Sequence, residues 1–212
     1  MKTSDLIAAL AADGPARSTS IGRRLALALG LGTLISATLF MSALGPRHDF
    51  VAATHTMRFD MKFVDTLALL LPCALLCLRL SRPDAGPGAM AAWLAAPFVV
   101  LLGAVVMELM MVPPQLWITR LIGTNWMHCL MLIPLLSIPP LAALIFVLRE
   151  GAPRRPALTG ALAGAAAAGV AATIYATNCA DDSPLFVASW YPLATLIVVA
   201  AGALAGRRFL RW

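Results

Sequence analysis

Six long apolar runs constrain the fold of this chain more than any other feature. A helix needs about 20 mostly apolar residues to cross the hydrocarbon core of a bilayer. Stretches of that length lie at roughly 25–44, 61–80, 90–110, 126–148, 157–176 and 186–206. The sequence therefore predicts an all-α polytopic membrane protein with six transmembrane helices.

The composition excludes an ordinary soluble domain. Charged residues make up only 12% of the 212 residues, against about 25% in soluble domains. The net charge of +6 could suggest a nucleic-acid partner, but the basic residues flank the apolar runs, as they do beside a bilayer. We therefore expect contact with membrane lipid and no direct contact with nucleic acid.

The lysines and arginines predict the orientation of the helices. With the N-terminus inside, the inner segments hold twelve of them: Lys2, Arg17, Arg23, Arg24, Arg79, Arg82, Arg149, Arg154, Arg155, Arg207, Arg208 and Arg211. The outer segments hold four: Arg47, Arg58, Lys62 and Arg120. Short loops rich in basic residues stay in the cytoplasm. The prediction is a cytoplasmic N-terminal segment at 1–24, a transmembrane domain at 25–212, and both termini in the cytoplasm.

The N-terminal segment contains a short amphipathic pattern. Thr3 or Ser4 can cap a helix over 5–12, which places Leu6, Ile7 and Leu10 on one face. A helix this short is unstable alone in water, so it needs a surface to dock on. The sequence leaves open whether that surface is the membrane, the rest of the chain or a partner protein.

Two of the four cysteines are predicted to lie at the outer face. Cys129 begins the fourth apolar run, and Cys179 follows the fifth. In an oxidising compartment two such thiols can form a disulfide or meet oxidants and metals, and the sequence does not decide whether they pair. Cys73 and Cys77 lie in the inner half of the second run, where cysteine usually behaves as a small hydrophobic residue.

Soft metal ligands are concentrated at the same predicted level. Thiolate, thioether and imidazole groups select soft metals such as Cu(I), with zinc a second possibility. His128 therefore joins Cys129 and Cys179 as a candidate ligand. The methionines at this level are Met57, Met61, Met107, Met110, Met111, Met127 and Met131. A lipid-facing or core role stays open for these methionines, and a structural role stays open for His128. No spacing typical of a zinc module is present.

Two acidic residues, Asp65 and Glu108, fall in the outer third of their predicted helices. An ionisable group at membrane depth needs a partner, and Lys62 or Arg58 could pair with Asp65 along one helix face. We predict a structural ion pair there. The chain carries no nucleotide-binding loop, metalloprotease motif or nucleophile elbow, so we do not expect an enzyme.

The chain resembles the NrsF-type anti-sigma factors, which are bacterial inner-membrane proteins. The resemblance covers nearly the whole length and is carried by the opening 1–13, by Trp126 with His128 and Cys129, and by 178–191. It implies a negative regulator that holds an extracytoplasmic-function (ECF) sigma factor at the membrane. It also implies that two periplasmic cysteines sense heavy-metal or oxidative stress, and Cys129 and Cys179 occupy those positions.

The resemblance implies a mechanism for the regulation of transcription. The N-terminal segment, with Leu6, Ile7 and Leu10, would bind the sigma factor. Metal binding or oxidation at the two cysteines would change the packing of the last three helices and release it. No obligate cofactor is expected, with copper or another soft metal acting as the signal.

Two other functions remain as alternatives. A small metal-handling membrane transporter would need polar residues along a path through the spans, and none lies between the level of Asp65 and Glu108 and that of Cys77. A membrane thiol oxidoreductase would need a second thiol close in sequence to each reactive one. The identities of the sigma factor and of the inducing signal, and the oligomeric state, are not determined by the sequence.

Overall fold

The structure is a computed structural model that describes residues 3–5, 20–82 and 85–211, and all regular structure in them is helical. Six helices are long and apolar enough to cross a membrane, which confirms the predicted fold class. They are α1 (Ile21–Ala43), α2 (Met57–Leu80), α3 (Ala96–Met111), α4 (Trp126–Leu148), α5 (Pro156–Ala176) and α6 (Pro184–Phe209). The third span includes the 3₁₀ helix that precedes α3 and runs over Gly88–Met111. The predicted sites Leu6, Ile7 and Leu10 lie outside the described residues.

Shorter helices complete the chain between these spans. A 3₁₀ helix at Gly88–Ala95 leads directly into α3, and three short helices lie in the loops: Phe50–Ala53, Pro114–Leu116 and Trp117–Ile122. Helix α1 begins four residues before the predicted run, because the Ser20 hydroxyl accepts a hydrogen bond from the Arg23 backbone and caps it.

Helix α5 lies at the centre of the bundle, and its small residues allow close packing against α6. A methyl group added to Gly160 would lie 2.2 Å from the carbonyl oxygen of Gly202, and one added to Gly202 would lie 2.3 Å from that of Gly160. Only glycine permits this approach of two backbones. This contact joins two identical Gly-Ala-Leu-Ala-Gly motifs, 160–164 on α5 and 202–206 on α6.

Helix α1 packs against the proline-rich helix α4. Pro140 has no N–H, so the carbonyl of Leu136, four residues earlier, lacks its helical partner. The Ser36 hydroxyl donates to that carbonyl at 2.7 Å. A methyl group on Gly32 would lie 2.4 Å from Pro140 Cα, so the contact is between backbones here as well.

Because neighbouring spans run antiparallel, the loops collect at two ends of the bundle. The Cys179 end holds 44–56, 112–125 and 177–183. The arginine end holds 20–24, 79–82, 149–155 and 207–211. That the arginine end faces the cytoplasm remains a prediction from the distribution of basic residues.

Candidate functional site

The 177–183 loop, which joins α5 to α6, is the centre of the candidate site. It carries Cys179, which is 1% exposed, and it closes over Cys129 on α4, which is 0% exposed. Both thiols belong to one buried cluster with aromatic rings from the three helices α1, α5 and α6: Phe40, Tyr175, Phe186 and Tyr191. The fold therefore brings together two cysteines that lie 50 positions apart in the sequence.

A buried lysine holds the loop from α2. Lys62 is 1% exposed, and its ammonium donates to the Cys179 carbonyl at 2.9 Å. The same nitrogen lies 2.5 Å from a carboxylate oxygen of Asp182, whose second oxygen is 2.8 Å from the Arg47 guanidinium. A buried cation is stable only when it is paired and hydrogen-bonded, so the position of the loop and the charge of Lys62 depend on each other.

The start of α4 is held by the neighbouring carboxylate. Asp181 accepts hydrogen bonds from the backbone N–H groups of Thr124 at 3.0 Å and Asn125 at 2.8 Å. These donors lie where a helix N-terminus has unsatisfied N–H groups and a positive dipole, which favour a carboxylate. Gly123 makes the approach possible, because it has φ +60° and a methyl group there would lie 2.4 Å from the Phe186 ring.

A third carboxylate links α3 to the same loop. The side chain of Glu108 is 2% exposed and lies 2.8 Å from the Arg58 guanidinium and 2.6 Å from that of Arg120. The Ser183 hydroxyl donates to it at 3.2 Å. Glu108 thus joins α2, the helix Trp117–Ile122 and the end of the 177–183 loop.

The connection between α1 and α2 completes the enclosure. The Arg47 backbone N–H donates to the Thr177 carbonyl at 3.1 Å, and the Asn178 amide donates to the Gly45 carbonyl at 2.8 Å. Arg47 also makes two hydrogen bonds to Asp49, which raise the pKa of Arg47 and lower that of Asp49. Both groups stay charged at neutral pH, so the ion pairs around the loop persist.

Burial determines the chemistry of the loop thiol. Desolvation raises the pKa of Cys179, although the charge of Lys62 acts in the opposite direction. The thiolate is the form that attacks oxidants and binds metals. All four cysteines are free thiols, and with the loop in place Cys179 is a protonated, covered group. Reaction at this site requires the loop to move.

Comparison with known proteins places this architecture in one family. The model of the family described as "Negative regulator of sigma F" matches residues 10–212. The chain is similar to the probable anti-sigma-F factor NrsF of Azospira oryzae, with 35% identity over the full length of both chains. It is also similar to the anti-sigma-F factor NrsF of Caulobacter vibrioides, with 37% identity over the full length of both. No solved structure matches.

The chain belongs to the NrsF family. The resemblance found in the sequence is thereby confirmed. With six helices that can span a bilayer, this member is a multi-pass membrane protein of a family of negative regulators of sigma F.

The predicted sensing residues of this NrsF-family chain are only partly brought together. Cys129 and Cys179 share one cluster, whereas His128, which immediately precedes Cys129 on α4, is exposed. The described residues contain no group of three His, Cys, Asp or Glu side chains placed to hold a metal ion. A metal role for Cys129, Cys179 and His128 stays a prediction. Most of the methionines at this level lie on the protein surface: Met57, Met107, Met110, Met111, Met127 and Met131.

One predicted contact is wrong. Asp65 does not pair with Lys62 or Arg58, because these cations pair with Asp182 and Glu108. Among the described residues Asp65 Oδ1 has no hydrogen-bond partner. Carboxylates from other elements compete successfully with the neighbour on the same helix, since they approach the ends of the long basic side chains directly.

Sequence reasoning missed the loop carboxylates and Arg47 as parts of the site. The available signal was the pair Asp181 and Asp182, two adjacent acidic residues between two spanning helices and immediately after Cys179. Charged residues at such a position need partners. The sequence did not identify Lys62, Arg47, Thr124 and Asn125 as those partners, since they lie 56 to 135 positions away.

Proposed function

We propose that this chain is an anti-sigma factor of the bacterial inner membrane. It sequesters an ECF sigma factor at the cytoplasmic face and releases it when a metal or an oxidant reaches Cys129 and Cys179 from the other side. Membership of the NrsF family supports the regulatory role. The observation that supports the sensing role is the burial of both thiols in one cluster, with Cys179 on the 177–183 loop and Cys129 on α4.

The signal acts by stabilising an open arrangement of the loop. Oxidation would join the two Sγ atoms, with two electrons and two protons passing to an oxidant such as a peroxide, which is reduced to water. A soft metal ion would instead replace the thiol protons. Because both thiols are covered, an oxidant or a metal ion reaches them only when the loop leaves the position that Lys62 and Asp182 hold. A signal shifts the equilibrium only if it binds the open state better than the closed one.

The α5 and α6 pair carries this change to the other end. The two helices are joined near the arginine end by contacts between backbones at Gly160 and Gly202, which leave little freedom for one helix to slide on the other. A displacement of the loop therefore moves both helices together. The sigma factor is held at that end by the segment 1–24, with Leu6, Ile7 and Leu10 as its apolar contacts.

The two thiol pairs of the chain allow a matched test of sensing. A reporter of sigma-factor activity is measured in cells carrying Cys129→Ser with Cys179→Ser, and in cells carrying Cys73→Ser with Cys77→Ser. Copper, cadmium and dichromate are added in turn, and the amount of membrane protein is measured by immunoblot. We expect the first variant to repress normally and to lose induction, and the second to respond like the wild type. Normal induction in the first variant would eliminate the sensing role.

Sequestration is tested by purification from the host membrane. The detergent-solubilised protein should copurify with a sigma factor, whose class is identified by mass spectrometry. Leu6→Asp with Leu10→Asp should remove that partner and make the reporter constitutively active. Ala8→Asp with Ala12→Asp introduces the same charge on other positions of the segment and should retain the partner. Loss of the partner in both variants, or in neither, would contradict binding through the apolar face.

A further inference from the structure

A cavity at the arginine end is not used by the proposed signal path. It has a volume of about 450 Å³ and is lined by residues at the ends of α4 and α6: Phe146, Arg149, Glu150, Phe209 and Arg211. It lies at the opposite end of the bundle from the two thiols and the 177–183 loop.

The charge balance of the cavity is positive. Its carboxylate, Glu150, is paired with Arg24 of α1. Arg149 and Arg211 are exposed, and neither guanidinium has an ion-pair or hydrogen-bond partner among the described residues. Within the described part of the chain the cavity thus presents two cations without an ionic partner, and a planar guanidinium binds phosphate oxygens in a bidentate geometry.

The apolar part of the lining lies next to these cations. Phe146 is 66% exposed and Phe209 is 52% exposed. Phe146 and Arg149 are three positions apart and share a face of α4, with Phe146 inside the spanning helix and Arg149 at its C-terminal cap. The aromatic ring therefore lies at the edge of the hydrocarbon layer, and the guanidinium lies at the level of the lipid headgroups.

We propose that this cavity binds an anionic phospholipid. The headgroup phosphate lies between Arg149 and Arg211, and an acyl chain runs along Phe146 and Phe209. Basic pockets between transmembrane helices are suited to such headgroups. An acidic protein segment would match the charge, but it would not cover Phe146 at membrane depth, whereas one lipid molecule supplies both the phosphate and the chain. The lipid site is independent of sigma-factor binding.

The test measures lipid binding to the full chain in detergent by native mass spectrometry. The probes are phosphatidylglycerol and phosphatidylcholine with identical acyl chains. Arg149→Gln with Arg211→Gln should lower the affinity for phosphatidylglycerol about 30-fold and leave phosphatidylcholine unchanged. Arg154→Gln with Arg207→Gln removes the same charge from exposed positions outside the cavity and should cost less than about 3-fold.

Several results would overturn the lipid site. These are equal affinity of the wild-type chain for the two lipids, equal losses in both glutamine variants, or displacement of phosphatidylglycerol by inorganic phosphate or by polyglutamate at millimolar concentration. Arg149→Lys with Arg211→Lys is the control for misfolding, because it changes the same two residues and keeps their positive charge. This variant should retain most of the preference for the anionic lipid, and its loss in a monodisperse protein would also contradict the site.

Discussion

The two ends of the bundle are held in different ways. At the Cys179 end, the 177–183 loop makes hydrogen bonds or ion pairs with α2, with α3 and with both other loops of that end. At the arginine end, the contacts between elements include the pair Arg24 and Glu150 and one backbone hydrogen bond from Ala152 to Ser81 at 3.2 Å. The first end specifies one closed arrangement, while the second leaves cationic groups available to partners.

The two thiol pairs repeat this contrast. Cys73 and Cys77 lie inside α2 in an apolar cluster, where Cys77 Sγ is 3.6 Å from the Thr159 carbonyl. Cys179 lies in a loop whose position depends on Lys62 and Asp182. Both pairs are buried, so burial alone does not distinguish a structural thiol from a sensing one. The distinction lies in whether the element that covers the thiol can move without unfolding a helix.

Removal of one cation at each end should give the largest difference in stability between the two ends. Lys62→Met leaves the Cys179 carbonyl with only the longer hydrogen bond from Arg47 at 3.4 Å, and Asp182 with Arg47 as its ion-pair partner. We therefore expect the free energy of unfolding to fall by about 3 kcal/mol. Arg24→Met removes a cation that is 44% exposed, and the loss should be at most about 1 kcal/mol. Thermal unfolding of both proteins in one detergent, followed by circular dichroism, compares them. Similar losses would show that the ends are not held differently.

Substitution of a glycine tests whether the close packing of α5 and α6 stabilises the arginine end. Gly160→Val places a branched side chain against the Gly202 carbonyl, and overpacking of this kind should cost about 2 kcal/mol. Gly30→Val is the control, because nothing lies within 4 Å of the added group. We expect the control to stay within about 0.5 kcal/mol of the wild type in the same unfolding measurement. A tolerated Gly160→Val would mean that the two helices are not locked together.

The smallest expected effect concerns the pH dependence of the loop thiol. Burial raises the folded-state pKa of Cys179 above its ordinary value of 9.0, so the unfolded chain ionises first. The contribution of the Cys179 thiol to the free energy of unfolding is fully present below about pH 9. It falls as the pH rises further, by about 1 kcal/mol at pH 10. The free energies of unfolding at pH 8 and pH 10 should differ less in Cys179→Ser than in the wild type. The same difference in both proteins would contradict a covered thiol.

The sequence was a better guide to the helices than to the site. Each predicted span lies within or close to an observed helix, because length and apolarity decide which segments can cross a bilayer. The close packing of Gly160 and Gly202 was also predictable, since antiparallel neighbours bring the two motifs to one depth. The pairing of Asp65 was predicted wrongly, because spacing along one helix carries no information on carboxylates from other elements.

The sequence by itself determined the all-α class, the six spans, the family and the level at which Cys129 and Cys179 lie, because these follow from local composition and motifs. Only the tertiary structure decided that both thiols are buried, that Lys62 is held by Asp182 and the Cys179 carbonyl, and that Glu108 joins two arginines. The physical reason is that ion pairs and burial depend on distances between side chains far apart in the chain. The packing of the helices sets those distances, and no single segment does.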